Sequence, residues 1–171
     1  MKIRGRLISF ILTPALIFCF LVSCGTDPKE FTHCELTLVL DESFEEETSD
    51  SFDLFLSNGD VAVSLLRISF QAGFEQGIID TYTAKGFAAF FMHKSEKSEE
   101  LLMHGDVPYY TYTETSSGSD IFYTVTFYRS LNAYFVVAYA ANEENKEEYR
   151  DKFLEYADKA YFNDAPKIEN K

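Results

Sequence analysis

The chain has 171 residues, with 28 Asp and Glu against 15 Lys and Arg, a formal net charge of −13 and a pI near 4.6. So acidic a chain lacks the Lys and Arg that neutralise phosphates, which argues against a nucleic-acid binder, and it lacks the basic clusters that dock a protein electrostatically on anionic lipid. Its 17 Phe and 11 Tyr, with no Trp, offer enough apolar surface for one domain core.

The chain opens with Lys2, Arg4 and Arg6, followed by an uncharged, largely apolar run from Leu7 to Val22 that contains Ser9, Thr13 and Pro14. Charge, a short apolar run and small residues at a cut site make a secretory signal. The run is shorter than the roughly 20 apolar residues that a spanning helix needs. It ends in Leu21-Val22-Ser23-Cys24, which resembles the lipobox of bacterial lipoproteins. That resemblance implies a diacylglyceryl group on the Cys24 thiol and cleavage before Cys24 by signal peptidase II. Two acyl chains, at roughly 0.8 kcal/mol per buried methylene, suffice for stable anchoring. Removal of the signal takes away Lys2, Arg4 and Arg6 and no acid, so the mature domain is more acidic still. Cys19 leaves with the signal and Cys24 carries lipid, so Cys34 has no intrachain disulfide partner. Its alternation with Leu36, Leu38 and Leu40 reads as a small buried residue at a strand start.

Glu35 to Leu40 alternates, with Leu36, Leu38 and Leu40 on one face and Glu35 and Thr37 on the other, the pattern of a half-buried strand. Asp41 to Asp53 is rich in acid and reads as a solvated loop or strand extension anchored by Phe44. Phe52 to Leu56 and Val61 to Phe70 flank Ser57-Asn58-Gly59-Asp60, a hairpin signal. From Phe74 the period changes: Ile78, Ile79, Tyr82, Gly86, Ala89, Phe90 and Phe91 suggest one amphipathic helix. Strands follow at Leu101–Met103, Tyr109–Glu114, Ile121–Arg129 and Ala133–Ala141, joined by short polar links that make antiparallel neighbours. The last two are apolar on both faces, which places them centrally with a layer on each side. Asn142 is a candidate N-cap for a helix from Glu143 to Tyr161 with the stripe Tyr149, Phe153, Tyr156, Ala157 and Ala160.

This order, with the Ser57–Gly59 hairpin, the Asn132 turn between two aromatic strands and the closing helix carrying Tyr149, Phe153 and Tyr161, resembles the PsbP-like fold, which includes DcrB-type bacterial lipoproteins. The resemblance implies an α+β fold, an antiparallel β-sheet flanked by helices, in an α/β/α sandwich. It implies little about activity, since a fold does not fix function, and no site residue is carried over from it. The expected organisation is a signal peptide over 1–23, a lipidated tether over 24–32, a single PsbP-like domain over 33–163 and a flexible tail over 164–171.

No Gly-x-Ser-x-Gly elbow, Ser-x-x-Lys motif or phosphate-cradling glycine loop is present. His33, His93 and His104 are far apart and read as surface or strand-end residues. The acidic stretch Asp41–Asp53 lacks the spacing and the glycine of an EF-hand. The tyrosines at 109, 110, 112, 123, 128 and 134 could form a ligand platform, but packing of the sheet is the simpler reading. The sequence therefore predicts no catalytic residue, no metal ligand and no cofactor, and assigns Cys24 alone, as the lipidation site. It predicts a monomeric, non-enzymatic lipoprotein on the extracytoplasmic face of the cell membrane (the outer membrane, where the cell has one), with an envelope protein as partner. The alternative reading is a small-ligand or cation-binding lipoprotein serving a membrane system.

Overall fold

The computed structural model describes residues 27–78 and 80–163. The expected signal over 1–23, Cys24, Gly25, Thr26, Ile79 and the expected tail over 164–171 lie outside the described residues. In chain order the elements are β1 (Pro28–His33), β2 (Leu36–Asp41), β3 (Glu45–Glu46), β4 (Leu54–Ser57), β5 (Val61–Ser69), α1 (Phe70–Phe74), α2 (Ala84–Lys94), β6 (Leu102–His104), β7 (Val107–Ser116), β8 (Ser119–Arg129), β9 (Ala133–Asn142), a 3-10 turn (Glu143–Asn145), α3 (Lys146–Lys159) and β10 (Tyr161–Phe162). A seven-stranded sheet runs in the order β3-β4-β5-β9-β8-β7-β6, and a three-stranded sheet in the order β1-β2-β10. All pairings are antiparallel. The chain is thus an α+β protein of antiparallel sheet and helix, as its residue pattern implies.

The two-sided hydrophobicity of the last long strands has the expected cause. Phe135, Val137, Tyr139 and Ala141 of β9 join Leu36, Leu38 and Leu40 of β2 and Phe153 and Tyr156 of α3 in one core. Tyr134, Val136 and Ala138, on the opposite face of β9, join Phe127 of β8 and Phe87, Ala88 and Met92 of α2 in a second core. The β4–β5 hairpin closes at the predicted place: the Asn58 side-chain oxygen accepts the N–H groups of Asp60 and Val61, at 3.1 and 2.8 Å.

Several expectations fail for identifiable reasons. Residues 28–32 of the expected tether form β1, because Pro28 to His33 pairs with β2 along its whole length, from Pro28 opposite Asp41 to His33 opposite Leu36. Cys34 is not a buried strand residue. It occupies the turn between those strands at φ +51°, exposed. The helix expected from Phe74 starts only at Ala84, where the Thr83 hydroxyl accepts the Gly86 N–H at 3.1 Å; Gly77 at φ +80° breaks any earlier helix. The buried side of α2 is Phe87, Ala88 and Met92, while Ala89 faces solvent. The last helix is preceded by a 3-10 turn without a side-chain cap from Asn142, and it ends at Lys159, because Tyr161 and Phe162 leave it to pair with Thr37 and Leu36.

The two sheets meet at Glu35. Its residue is only 8 % exposed. Arg67 of β5 donates to both carboxylate oxygens, at 3.1 and 3.2 Å, and the Ser130 hydroxyl, from the β8–β9 turn, donates at 2.8 Å. The Ser130 oxygen in turn accepts the N–H groups of Asn132 and Ala133 at 3.1 and 3.0 Å. Burial pushes the Glu35 carboxyl up, but the hydrogen bonds from Arg67 and Ser130 and the Arg67 charge together outweigh it and hold the carboxyl below its ordinary range. Thr37, expected on a solvent face, is likewise buried, with its hydroxyl 2.8 Å from that of Thr32 and accepting from the Asn163 amide at 3.0 Å.

Phe127→Ala removes a ring at the centre of the second core and should cost about 3–5 kcal/mol in chemical denaturation; a loss below about 1 kcal/mol would place β8 at an edge. Glu35→Gln should cost about 2–3 kcal/mol at neutral pH, since Arg67 keeps part of its hydration. A depressed folded pKa contributes stability that is full above the unfolded carboxyl value, about 4.3, and is lost as pH falls through the lower folded value. The stability gap between wild type and Glu35→Gln should therefore narrow from about pH 5 downward. A gap that stays constant to pH 3 would contradict the assignment.

Candidate functional site

The tyrosines divide into two groups. Tyr128 and Tyr134 are packing residues. The Tyr128 hydroxyl donates to the Ala157 carbonyl at 3.1 Å, and burial pushes it up to about 12. The Tyr134 ring stacks on Phe87 at 4.3 Å, and its hydroxyl donates to the Tyr82 carbonyl at 2.8 Å. The second group lies on β7 and β8. Tyr112 and Tyr123 are cross-strand partners, and their rings stack at 4.7 Å with an interplanar angle of 9°. Tyr110, two residues earlier on the same face of β7, stacks on Tyr112 at 5.8 Å and on Phe127 at 6.0 Å. Burial raises the hydroxyls of Tyr110, Tyr112 and Tyr123, and the carboxylate charge of Glu99 adds to the rise at Tyr110 and Tyr112. All three are neutral at physiological pH. Tyr109 is half-buried at the edge hairpin, opposite Leu102 and apart from this stack.

The segment leaving α2 covers the Tyr112 ring. Lys97 places its Nζ 3.7 Å from the ring centroid, well inside the distance for a cation–π contact. The helix end dictates this position. Lys97 N–H bonds the Met92 carbonyl at 2.9 Å and Glu96 N–H the His93 carbonyl at 3.3 Å, with Glu96 at φ +54°. That is the double hydrogen bond of a Schellman cap, in which the left-handed position normally belongs to glycine and the next residue turns back onto the helix. Here the residue turned back is Lys97. Two positions on, Glu99 has an oxygen, Oε2, that is closed off from solvent and receives no hydrogen bond. Lys97 makes no salt bridge among the described residues.

The remaining candidates stay apart. Cys24 lies outside the described residues. His104 pairs with Asp158 of α3 at 2.8 Å, His93 is exposed near the end of α2, and His33 closes β1. No group of three or more His, Cys, Asp or Glu is arranged to hold a metal among the described residues. The acidic stretch is tied down at its ends: Asp41 pairs with Lys152 at 2.7 Å and accepts the Tyr156 hydroxyl at 2.6 Å, and Asp53 accepts the Arg67 N–H at 2.6 Å. Between them Phe44 is fully buried, Glu45 and Glu46 pair with β4, and Glu42 and Glu47 are exposed. At one end of the molecule two large apolar side chains project. Phe74, at the end of α1, and Leu131, in the β8–β9 turn, are each 76 % exposed. Their elements touch, since Phe70 N–H donates to the Asn132 carbonyl at 3.1 Å and the Arg129 guanidinium lies 5.4 Å from the Phe70 ring. Sequence reasoning missed both this end and the Lys97 contact. An αL residue other than glycine at a helix end gives no periodic signal.

No protein-family model matches the chain, and no curated sequence does. Solved structures share its fold. A cyanobacterial PsbP, CyanoP from Synechocystis, is 12 % identical with a TM-score of 0.51, over 83 % of this chain and 98 % of that one. A protein from Bacteroides thetaiotaomicron is 13 % identical with a TM-score of 0.54, over 80 % of this chain and 49 % of that one, so the match spans about half of its length. The Ran-binding protein Mog1p of Saccharomyces cerevisiae is 10 % identical with a TM-score of 0.51, over 80 % and 96 %. The PsbP-like fold implied by the element order is thus the fold observed.

Because both ends of the acidic stretch already have protein partners, millimolar calcium should move the melting temperature no more than sodium chloride of equal ionic strength does. Selective binding to the folded state would add RT ln(1 + [L]/Kd). A calcium-specific rise of several degrees that disappears when Glu45, Glu46 and Glu47 become glutamine would show a cation site there.

Proposed function

We propose that the chain is a lipoprotein domain, exported and held on the extracytoplasmic face of the cell membrane by a lipid on Cys24, which binds an envelope protein and performs no chemistry of its own. The lipobox Leu21-Val22-Ser23-Cys24 after a charged head and a short apolar run supports the anchor. The observation that carries the binding reading is the pair Phe74 and Leu131, each 76 % exposed. Large apolar side chains left exposed on adjoining elements, here the end of α1 and the β8–β9 turn, favour contact with another protein.

The anchor also orients this surface. Only Gly25, Thr26 and Asp27 separate Cys24 from β1, so Pro28 lies within about 14 Å of the lipidated residue at full extension of about 3.5 Å per residue. β1 and β2 then run from Pro28 and Asp41 at one end to the Cys34 turn at the other. At that second end Glu35 binds Arg67 and Ser130, beside α1 and the β8–β9 turn. Phe74 and Leu131 accordingly face away from the bilayer, toward a partner in the envelope. The yeast protein of the same fold is itself described as Ran-binding, so this fold is compatible with protein recognition, although it does not dictate it.

Cells grown with a fatty-acid analogue should label the wild-type chain and leave Cys24→Ala unlabelled; labelling of the variant would overturn the anchor. A photo-crosslinking amino acid at position 131 should give a discrete adduct in intact cells, lost on Phe74→Asp, while the same probe at Glu47 should give none. Equal adducts at both positions would overturn the placement of the partner.

A further inference from the structure

The strap from Ser95 to Leu101 holds two opposite charges that do not satisfy one another. Lys97 lies on the Tyr112 ring, 3.7 Å from its centroid, without a carboxylate partner among the described residues. Glu99, in the same strap, has an oxygen shut off from solvent and without a hydrogen-bond donor. A closed-off carboxylate oxygen with no donor is costly, and such groups call for an explanation in a folded protein. Beneath Lys97 the Tyr112 ring lies almost parallel to the buried Tyr123 ring, so what Lys97 covers is the ring of Tyr112 alone, an aromatic surface of the kind that recognises ammonium groups. The strap is also held at a cost, since Glu96 adopts φ +54° where L residues are uncommon.

We infer that the Tyr112 ring face and the Glu99 carboxylate form a recognition site for a lysine ammonium of a basic partner segment, and that Lys97 is its resting, internal occupant. The net charge of −13 favours a basic partner and steers its approach. An incoming lysine takes the ring face from Lys97 and supplies the donor that Glu99 lacks, so Lys97 acts as an intramolecular competitor. Such a competitor lowers the apparent affinity by the fraction of time the site is vacant, and its removal tightens binding without any new contact.

This inference rests on the partner-binding reading but goes beyond it, since its residues lie on β7 and the strap after α2 and not at Phe74 and Leu131. Its test needs neither the partner nor the membrane, so its failure would leave the Leu131 cross-link standing, and the reverse also holds. Hexalysine is titrated calorimetrically into the full chain in detergent at physiological salt. Lys97→Met should bind at least fivefold more tightly than wild type. Lys85→Met, an equal change of charge on α2 itself, should not. Adding Tyr112→Leu to Lys97→Met should abolish the gain, whereas Tyr112→Phe should keep it. If Tyr112→Leu lacks a cooperative melt, Glu99→Gln on the Lys97→Met background replaces it, with a loss of at least threefold expected. Equal affinity of Lys97→Met and wild type would overturn the inference. So would Tyr112→Leu, or the Glu99→Gln replacement, binding as tightly as Lys97→Met alone, because hexalysine would then be reading only the overall acidity of the chain.

Discussion

The architecture turns on one buried carboxylate. Glu35 belongs to the tight turn of the small sheet, yet its oxygens are held by β5 and by the β8–β9 turn of the large one. Taking a carboxylate out of water is expensive, and only a full set of well-placed donors makes up for it. The bidentate fork of Arg67 and the Ser130 hydroxyl provide that set. A pairing so demanding in geometry fixes the small sheet in one position, and with it the placement of Leu36, Leu38 and Leu40 against β9 and α3. Apolar packing alone would accept several such placements; the carboxylate selects one.

Much of the fold was legible because its main signals are local. The alternation of β2, the Asn58-Gly59 hairpin and the two-sided apolar character of β8 and β9 each follow from residues close in sequence. What the sequence concealed depends on distant partners. Nothing near Glu35 or Thr37 announces burial, since Ser130 and Asn163 lie far along the chain. Pro28 to His33 carries too little apolar pattern to be read as a strand without β2 beside it. The region after Phe74 misled because its apolar residues serve a turn and a helix that begins only at Ala84, so a single period fitted through them was out of phase with the true buried side of α2.

The candidate sites were less legible than the fold. The tyrosines were visible as a set, but their division into core rings and a cross-strand stack capped by Lys97 depends on register across β7 and β8. Lys97 carries no signal of its own in the sequence, which there runs Lys94-Ser95-Glu96-Lys97-Ser98-Glu99-Glu100. Its role on the ring face emerges from a helix cap formed without glycine, and Glu96 in that position is invisible to pattern reading. Phe74 read as the start of a helical pattern and Leu131 as part of a short polar link, whereas folding leaves them exposed at the end of α1 and in the β8–β9 turn. Cys24 is the converse case, since a resemblance to a lipobox is a linear pattern and needs no folded structure to be read.

The central place of β9 also governs how the chain must acquire its structure. β5 pairs with β9, with Val61 opposite Ala141, so the first half of the large sheet lacks its neighbour until the chain is nearly complete. Pairings so distant in sequence close slowly, and they leave apolar strands uncovered in the meantime. In a chain made from its N-terminus onward, β4 and β5 emerge early and wait. The long acidic segment between β2 and β4 emerges just ahead of them, where its like charges would discourage association between nascent chains until β9 arrives.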